Sequence, residues 1–240
     1  MYLYCPSCHG TKVKKNGHTH YGKQNHCCKC CGGQFVLNNQ HTKTAYLKAL
    51  IEKSLKGRLS LRAICRIFDV SLNWLQAFAH PLWEQAPDNL GLSEELLKRI
   101  KKLQVFSIQA DELWSFVEKK VKKRWIWVAY APVHRLVIAH HIVGRGKKAA
   151  KQFWKRIPSI LQRCYFETDD WEGYRSIIPP NRHKVGKDLT SYIEGFNATI
   201  RARVSRLVRK TLSFSKKNRW NNKAIAWFFW QFNLERKHYI

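Results

Sequence analysis

From residue 105 the apolar residues stop recurring at helical spacing and begin to alternate, and inside the first alternating run, QADELW, sits a carboxylate, Asp111. A charge in the middle of an apolar strand is costly unless it is paired or holds a cation, so it limits what the fold around it can be. Two further acids stand out. Asp169 closes a short strand-like run in TDDW. Glu194 lies in SYIEGFNATIR, with 24 residues between it and Asp169. A strand bearing an Asp, a second strand ending in Asp and a helix bearing a Glu can together hold hard divalent cations, Mg²⁺ or Mn²⁺, through oxygen ligands. Glu112 and Asp170 neighbour the two Asp residues. Alternation puts such neighbours on opposite faces, and the sequence leaves either register open.

The runs Val105–Val117, Arg124–Pro132 and Arg135–Val143 read as consecutive strands, the first two joined through a basic turn at Glu118–Lys123. A helix is expected over Ala149–Leu161, a fourth strand over Tyr165–Asp169, and a long helix over Leu189–Val208. That order fits a ribonuclease H-like α/β fold. Glu194 and Arg201 are seven residues apart on the long helix and face the same way.

Charge points to the partner. The chain of 240 residues carries 44 basic and 16 acidic side chains, a net +28. Residues 101–240 hold 30 of the basic and 10 of the acidic ones. Such a field concentrates nucleic acid and makes binding salt-sensitive. Arg201, Arg203, Arg206, Arg209 and Lys210 begin an acid-free basic segment that reaches Arg219, expected to track phosphates. The longest strongly apolar stretch, Ala224–Trp230, is far short of the ~20 residues a membrane span needs. With no leader pattern at the start, the chain is expected in the cytoplasm, associated with the nucleoid.

Six of the eight cysteines fall within residues 1–40. In a reducing compartment they are read as ligands of a structural Zn²⁺. Cys5 and Cys8 form one pair. Cys27/Cys30 and Cys28/Cys31 both have the spacing for the second, and Cys28 and Cys31 are chosen because Gly32 follows as a turn residue and Phe35 opens a strand. One of His9, His18, His20 or His26 replacing a thiolate is the alternative. Cys65 and Cys164 are expected in apolar cores.

Residues 41–103 read as a helix-turn-helix and linker. One helix starts at Ser60, Phe68-Asp69-Val70 makes the turn, and Ser71 caps a second helix. There Ser71, Asn73 and Gln76 are the outward polar residues that would reach DNA. Pro81, Pro87, Asn89 and Gly91 are taken as a linker before a short helix.

QADELW, RWIWVAYAPVHRLVIAHHIVG, TDDWEGY, SYIEGFNATIRARVSRLVRKTLSFSK and the terminal NLERKHYI together resemble the transposases of the insertion sequence 1 family, over nearly the whole chain. The resemblance implies a DDE-type enzyme with a zinc finger (1–40), a helix-turn-helix (41–103) and a ribonuclease H-like catalytic domain (104–240). It also implies Asp111, Asp169 and Glu194 as the acidic triad, with Asn197 and Arg201 on the same helix. Double-stranded DNA (element ends and target) and further copies of the chain are the implied partners. A nuclease that cuts without joining, and a DNA-binding regulator without catalysis, are the rival readings.

Overall fold

The computed structural model describes residues 3–37, 43–102, 107–207 and 213–236. Two compact units divide between residues 49 and 50. The first is built on a three-stranded antiparallel sheet of β1 (Val13–His18), β2 (Gln24–Cys28) and β3 (Gln34–Val36), in that order. Its organising device is a turn made twice. Cys5 N–H donates to Gly10 O and His9 N–H to Cys5 O; Cys28 N–H donates to Gly33 O and Gly32 N–H to Cys28 O, all at 2.9–3.0 Å. His9 and Gly32 occupy matching left-handed positions, φ 57° and 72°. Only the Cys28/Cys31 register gives the second turn the same offsets as Cys5/Cys8.

These turns bring the sulfurs of Cys5, Cys8, Cys28 and Cys31 within 4.8 Å of one another. Cys5–Cys31 and Cys8–Cys28 stand 3.7 and 3.6 Å apart. Four thiolates about 2.3 Å from a zinc ion would be spaced by about 3.8 Å. Backbone N–H groups of Cys31 and Cys30 hold the Cys28 thiol down to about 6, and those of Ser7 and Cys8 lower Cys5. The donor set and spacing fit a closed Zn²⁺ site. The Cys27 thiol instead turns to the carbonyls of Cys28 and Gly32.

The second unit opens with helices. α1 (Ala45–Leu55), at the division between the units, is followed by α2 (Leu61–Phe68) and α3 (Leu72–Glu84). Ser60 caps α2 by accepting from Ala63 N–H, and Ser71 caps α3 by accepting from Trp74 N–H. Between them Asp69 adopts φ 47°, ψ 55°, the left-handed turn that a short polar side chain tolerates. Contrary to expectation, Pro81 does not end the helix. α3 runs through it because Leu75, Ala79 and Trp83 form one buried stripe across the proline. Packing outweighs the lost backbone bond. Cys65 and Cys164 are half-buried, and Cys164 packs against the core of this unit's sheet as expected.

A five-stranded sheet follows, ordered β6-β5-β4-β7-β8: β4 (Ile108–Val117), β5 (Lys119–Ala131), β6 (Leu136–Val143), β7 (Phe166–Thr168) and β8 (His183–Val185). β4, β5 and β6 are antiparallel neighbours, while β4–β7 and β7–β8 run parallel. This mixed arrangement is consistent with a ribonuclease H-like domain. One face packs on α4 (Glu94–Lys102), α5 (Lys147–Trp154) and α6 (Glu172–Arg175), through Ala110, Trp127 and Phe166. The other packs on α7 (Ser191–Arg203) and α8 (Asn218–Arg236), through Leu113, Ile126 and Val128. α4, expected as the end of the linker, thus belongs to the sheet's core.

Several bounds shift for physical reasons. The expected basic turn 118–123 contracts to Glu118 at φ 67°, and the lysines join β5. α7 ends at Val204, whose extended backbone lets Val204 and Leu207 turn into the core. The expected strand and helix residues 105–106 and 208 lie outside the described residues. β8 has only three residues and α6 only four, too short to leave a period.

α8 is buried almost all round, and Asn233 on it is fully buried. Its amide accepts from Val137 N–H and donates to Val137 O (2.9 Å each) and Leu90 O (3.3 Å). The β5–β6 register slips there: Ala129 faces Ala139 but Tyr130 faces Val137, so Ile138 bulges. Asn233 supplies hydrogen bonds beside the bulge.

Two outcomes follow. Asn233→Leu leaves those backbone groups buried and unpaired and lowers stability by about 2–4 kcal/mol, read as a shifted denaturant midpoint; an unchanged midpoint would show that water substitutes. Cys28→Ser and Cys31→Ser lose tightly held zinc in a chelator-competition assay, while Cys27→Ser and Cys30→Ser keep it. The reverse pattern would move the ligand set to the other pair.

Candidate active site

β4 carries two adjacent carboxylates in the buried middle of the sheet, and alternation sends them to different layers. Gln109, Asp111 and Leu113 face α7 and α8; Ala110 and Glu112 face α5 and α6. On the parallel neighbour, Ile108 pairs with Phe166 and Gln109 with Glu167. Two residues further on, this register sets Asp111 beside Asp169, just past the end of β7. The Asp169 carboxylate accepts from Trp171 N–H at 3.2 Å.

α7 brings the remaining polar groups over Asp111. Gln109 fixes its start, accepting from Ile193 N–H at 2.8 Å and donating to Leu189 O. Asn197, itself buried, donates to Asp111 Oδ2 at 2.6 Å. Asp111 Oδ1 accepts from Glu112 N–H at 2.7 Å. Glu194 is exposed in the first turn of α7 and accepts from the Thr190 hydroxyl at 3.1 Å. Burial raises Asp111 to about 6; the Glu112 N–H and Asn197 oppose this, and the charges of Asp169 and Glu194 add to it. The three acids are therefore electrostatic neighbours. Their oxygens are not all drawn to ligand spacing; among the described residues only the four cysteines are.

The neighbouring acids are otherwise engaged. Glu112, with its side chain 2% exposed, pairs with Arg145 at 2.6 Å and accepts from the Tyr174 hydroxyl at 2.8 Å. Burial pushes it up to about 7, against the pull of Tyr174 and Arg145. Arg145 lies over the rings of both Trp125 and Trp171, 4.6 and 5.1 Å from their centroids. Asp170 is exposed and paired with Arg175. Gly173 is obligatory: a Cβ there would stand 1.7 Å from the Trp171 ring. Gln109, Arg145 and Tyr174 were not singled out from the sequence, and Glu112 only as the alternative to Asp111. The polar Gln109 two residues before Asp111 in a buried strand was the available signal.

The expected DNA-contacting residues separate into groups. Ser71 and Asn73 are exposed at the start of α3 and Gln76 is half-buried. Arg201 is half-buried on α7. Arg203 and Arg206 depart from the expected phosphate-tracking row. Arg203 makes a two-pronged pair with Glu235 at 2.9 and 3.0 Å. Arg206 is drawn inward over Trp83, donating to Ser215 Oγ at 2.9 Å, and burial lowers it to about 10. Both brace helices. Arg209 and Lys210 lie outside the described residues.

The raised Asp111 fixes the sign of a stability effect. Its contribution is intact below its ordinary value of 3.8 and lost as pH rises through about 6. In metal-free protein Asp111→Asn therefore raises the melting temperature at neutral pH, by the equivalent of about 1–3 kcal/mol, and the gain fades towards pH 4. Equal melting at both pH values would show that Asp111 carries no such burden.

Comparison with known proteins identifies the family. The family described as IS1 transposase matches residues 104–239, which include all three acids. The insertion element IS1 protein InsB of Shigella flexneri is 33% identical over 131 residues, 55% of this chain and 95% of that protein. The iso-IS1n protein InsB of Shigella dysenteriae is 32% identical over 120 residues, 50% of this chain and 91% of its own length. The IS1 4 protein InsB of Escherichia coli (strain K12) is 32% identical over 131 residues, 55% and 75%. The chain belongs to the IS1 transposase family and is a DDE-type transposase by that membership.

Proposed function

We propose that this chain binds the terminal inverted repeats of its mobile element, cleaves the ends and joins the resulting 3′-OH to target DNA. The observation that carries the reading is the in-register placement of Asp111 on β4 and Asp169 just past the end of the parallel β7, beneath the helix bearing Glu194. Those carboxylates are hard oxygen donors, and two Mg²⁺ or Mn²⁺ ions held by them would polarise the phosphodiester and stabilise its attacking and leaving oxygens.

The protein's own residues prepare that site. β4 and β7 fix the two Asp carboxylates side by side, so no chain entropy is lost in gathering them at the moment of reaction. Asn197 orients Asp111 by donating to its outer oxygen. Thr190 holds the Glu194 carboxylate at the head of α7. Burial, with the like charges of Asp169 and Glu194 adding to it, raises Asp111, and an arriving cation would relieve what a proton otherwise must. Water then attacks the phosphodiester at the element end, and the freed 3′-OH attacks target DNA in line, with no covalent enzyme intermediate. Arg201, on the same face of α7 as Glu194, is placed to meet the phosphate. Ser71, Asn73 and Gln76 at the start of α3 would read the element end in the major groove. The four-cysteine cluster would hold structural Zn²⁺ and fold the N-terminal unit. Further copies of the chain would pair two ends.

The test is an incubation of the full chain with labelled element-end DNA, target plasmid and Mg²⁺ or Mn²⁺. Joined products from the wild type, and their loss by at least ~10³-fold in Asp111→Asn, Asp169→Asn and Glu194→Gln with DNA affinity retained, is the expected result. Cleavage without joining would establish a nuclease instead. Binding without either would establish a regulator.

A further inference from the structure

Two basic segments far apart in sequence meet at one end of β4. The first is the start of β5. Phe116 pairs with Lys123 and Val117 with Lys119, so Lys120, Val121 and Lys122 have no opposite residue on β4 and stand out from the sheet. Lys119–Lys123 are all exposed, and Val121 between the lysines is 84% exposed. The second segment lies beyond α7. Glu118 N–H donates to Ser215 O at 2.8 Å, Val117 bridges to Ser215, and Phe116 packs on Phe214 at 5.4 Å. Lys216 and Lys217, both exposed, follow at once.

The result is a patch of Lys119, Lys120, Lys122, Lys123, Lys216 and Lys217, in which the nearby acid is Glu118. Glu118 pairs with Lys122 at 2.5 Å, an exposed contact worth little. Lys123 sits over the Trp114 ring at 5.3 Å. Like charges this close repel, and a hairpin gains nothing in folding from assembling them. A polyanion relieves the repulsion. Val117 is six residues from Asp111 along β4, about 20 Å, the length of about six base pairs of duplex.

We propose that this two-segment lysine patch is a phosphate-binding surface that grips duplex DNA to one side of the carboxylates, within about six base pairs of the scissile phosphate. It rests on the reading of this chain as an enzyme acting on DNA, and adds where the duplex is held. Phosphates are neutralised by the lysines, and the protruding Lys120–Lys122 segment follows the backbone.

The experiment measures binding of the full chain to a mixed-sequence duplex over a range of salt. One variant combines Lys119→Gln, Lys120→Gln, Lys216→Gln and Lys217→Gln. A control removes the same charge from exposed positions on α4 and α5: Lys98→Gln, Lys148→Gln, Lys151→Gln and Lys155→Gln. The expected result is a salt slope shallower by about 2–4 in the patch variant, near 0.9 per lost contact, with little change in the control. Hydroxyl-radical protection near the cleavage position should also fade. An unchanged slope in the patch variant, with wild type binding normally, overturns the proposal alone. Equal losses in both variants also overturn it, since net charge then suffices. Failure of the wild type to bind any duplex overturns the underlying reading and the proposal with it.

Discussion

The structure depends on one strand that is buried on both sides and yet charged. β4 lies between β5 and β7, and its alternation separates two adjacent carboxylates into two layers. Behind the sheet, Glu112 pairs with Arg145 and accepts from the Tyr174 hydroxyl, and burial still raises it to about 7. In front, Asp111 receives only hydrogen bonds, while Asp169 and Glu194 add like charge. One buried acid thus has a cationic partner within the fold, while its neighbour has hydrogen bonds and like charges around it. The same node links the two Asp residues from behind. Glu112 follows Asp111, Trp171 stands two residues after Asp169, and Arg145 touches both Glu112 and Trp171. The spacing of β4 and the turn after β7 is thereby braced from the face away from the site.

Much of this was legible because period and chemistry agreed. The alternating runs marked β4, β5 and β6, and QADELW and TDDW placed their acids at strand positions whose parity the parallel register then aligns. Asp69 was readable as a left-handed turn residue because its short side chain suits that conformation. What stayed hidden depended on partners distant in sequence. Glu112 could not be separated from Asp111 until Tyr174, 62 residues away, showed which face it used. Pro81 broke the local rule because Trp83 beyond it packs with Ala224 and Trp227 of α8. Arg203 and Arg206 looked like free surface charges by composition, yet Arg203 is paired with Glu235 and Arg206 is drawn inward over Trp83.

α8 accounts for several of these departures at once. Its early turns meet α3: His80 stacks on Trp220 with ring centroids 3.5 Å apart, and Ala79 and Trp83 share a cluster with Ala224 and Trp227. Further along, Phe228, Phe229 and Phe232 cover the sheet beside Ile193, Phe196 and Ile200 of α7. One helix therefore has three neighbours, α3, the helix carrying Glu194, and the strand bulge at Ile138. This explains why it is buried almost all round; among the described residues no helix is long and apolar enough to span a membrane.

On the proposed function, that packing bears on how a DNA-reading helix and a cutting site would cooperate. A helix-turn-helix on a flexible tether would fix which sequence is held but not where the phosphodiester lies. Here the C-terminal half of α3 is committed to α8, while its N-terminal residues Ser71 and Asn73 remain exposed. Every strut between them and Asp111 is a buried contact: Trp83 to Trp227, Phe228 to the α7 stripe, Asn197 to Asp111. Interiors packed this densely transmit position instead of absorbing it. The exposed residues at the start of α3 and the carboxylates are thus linked through neighbouring buried clusters, and on the proposed function the geometry that would place a bound end against the acids is set when the chain folds.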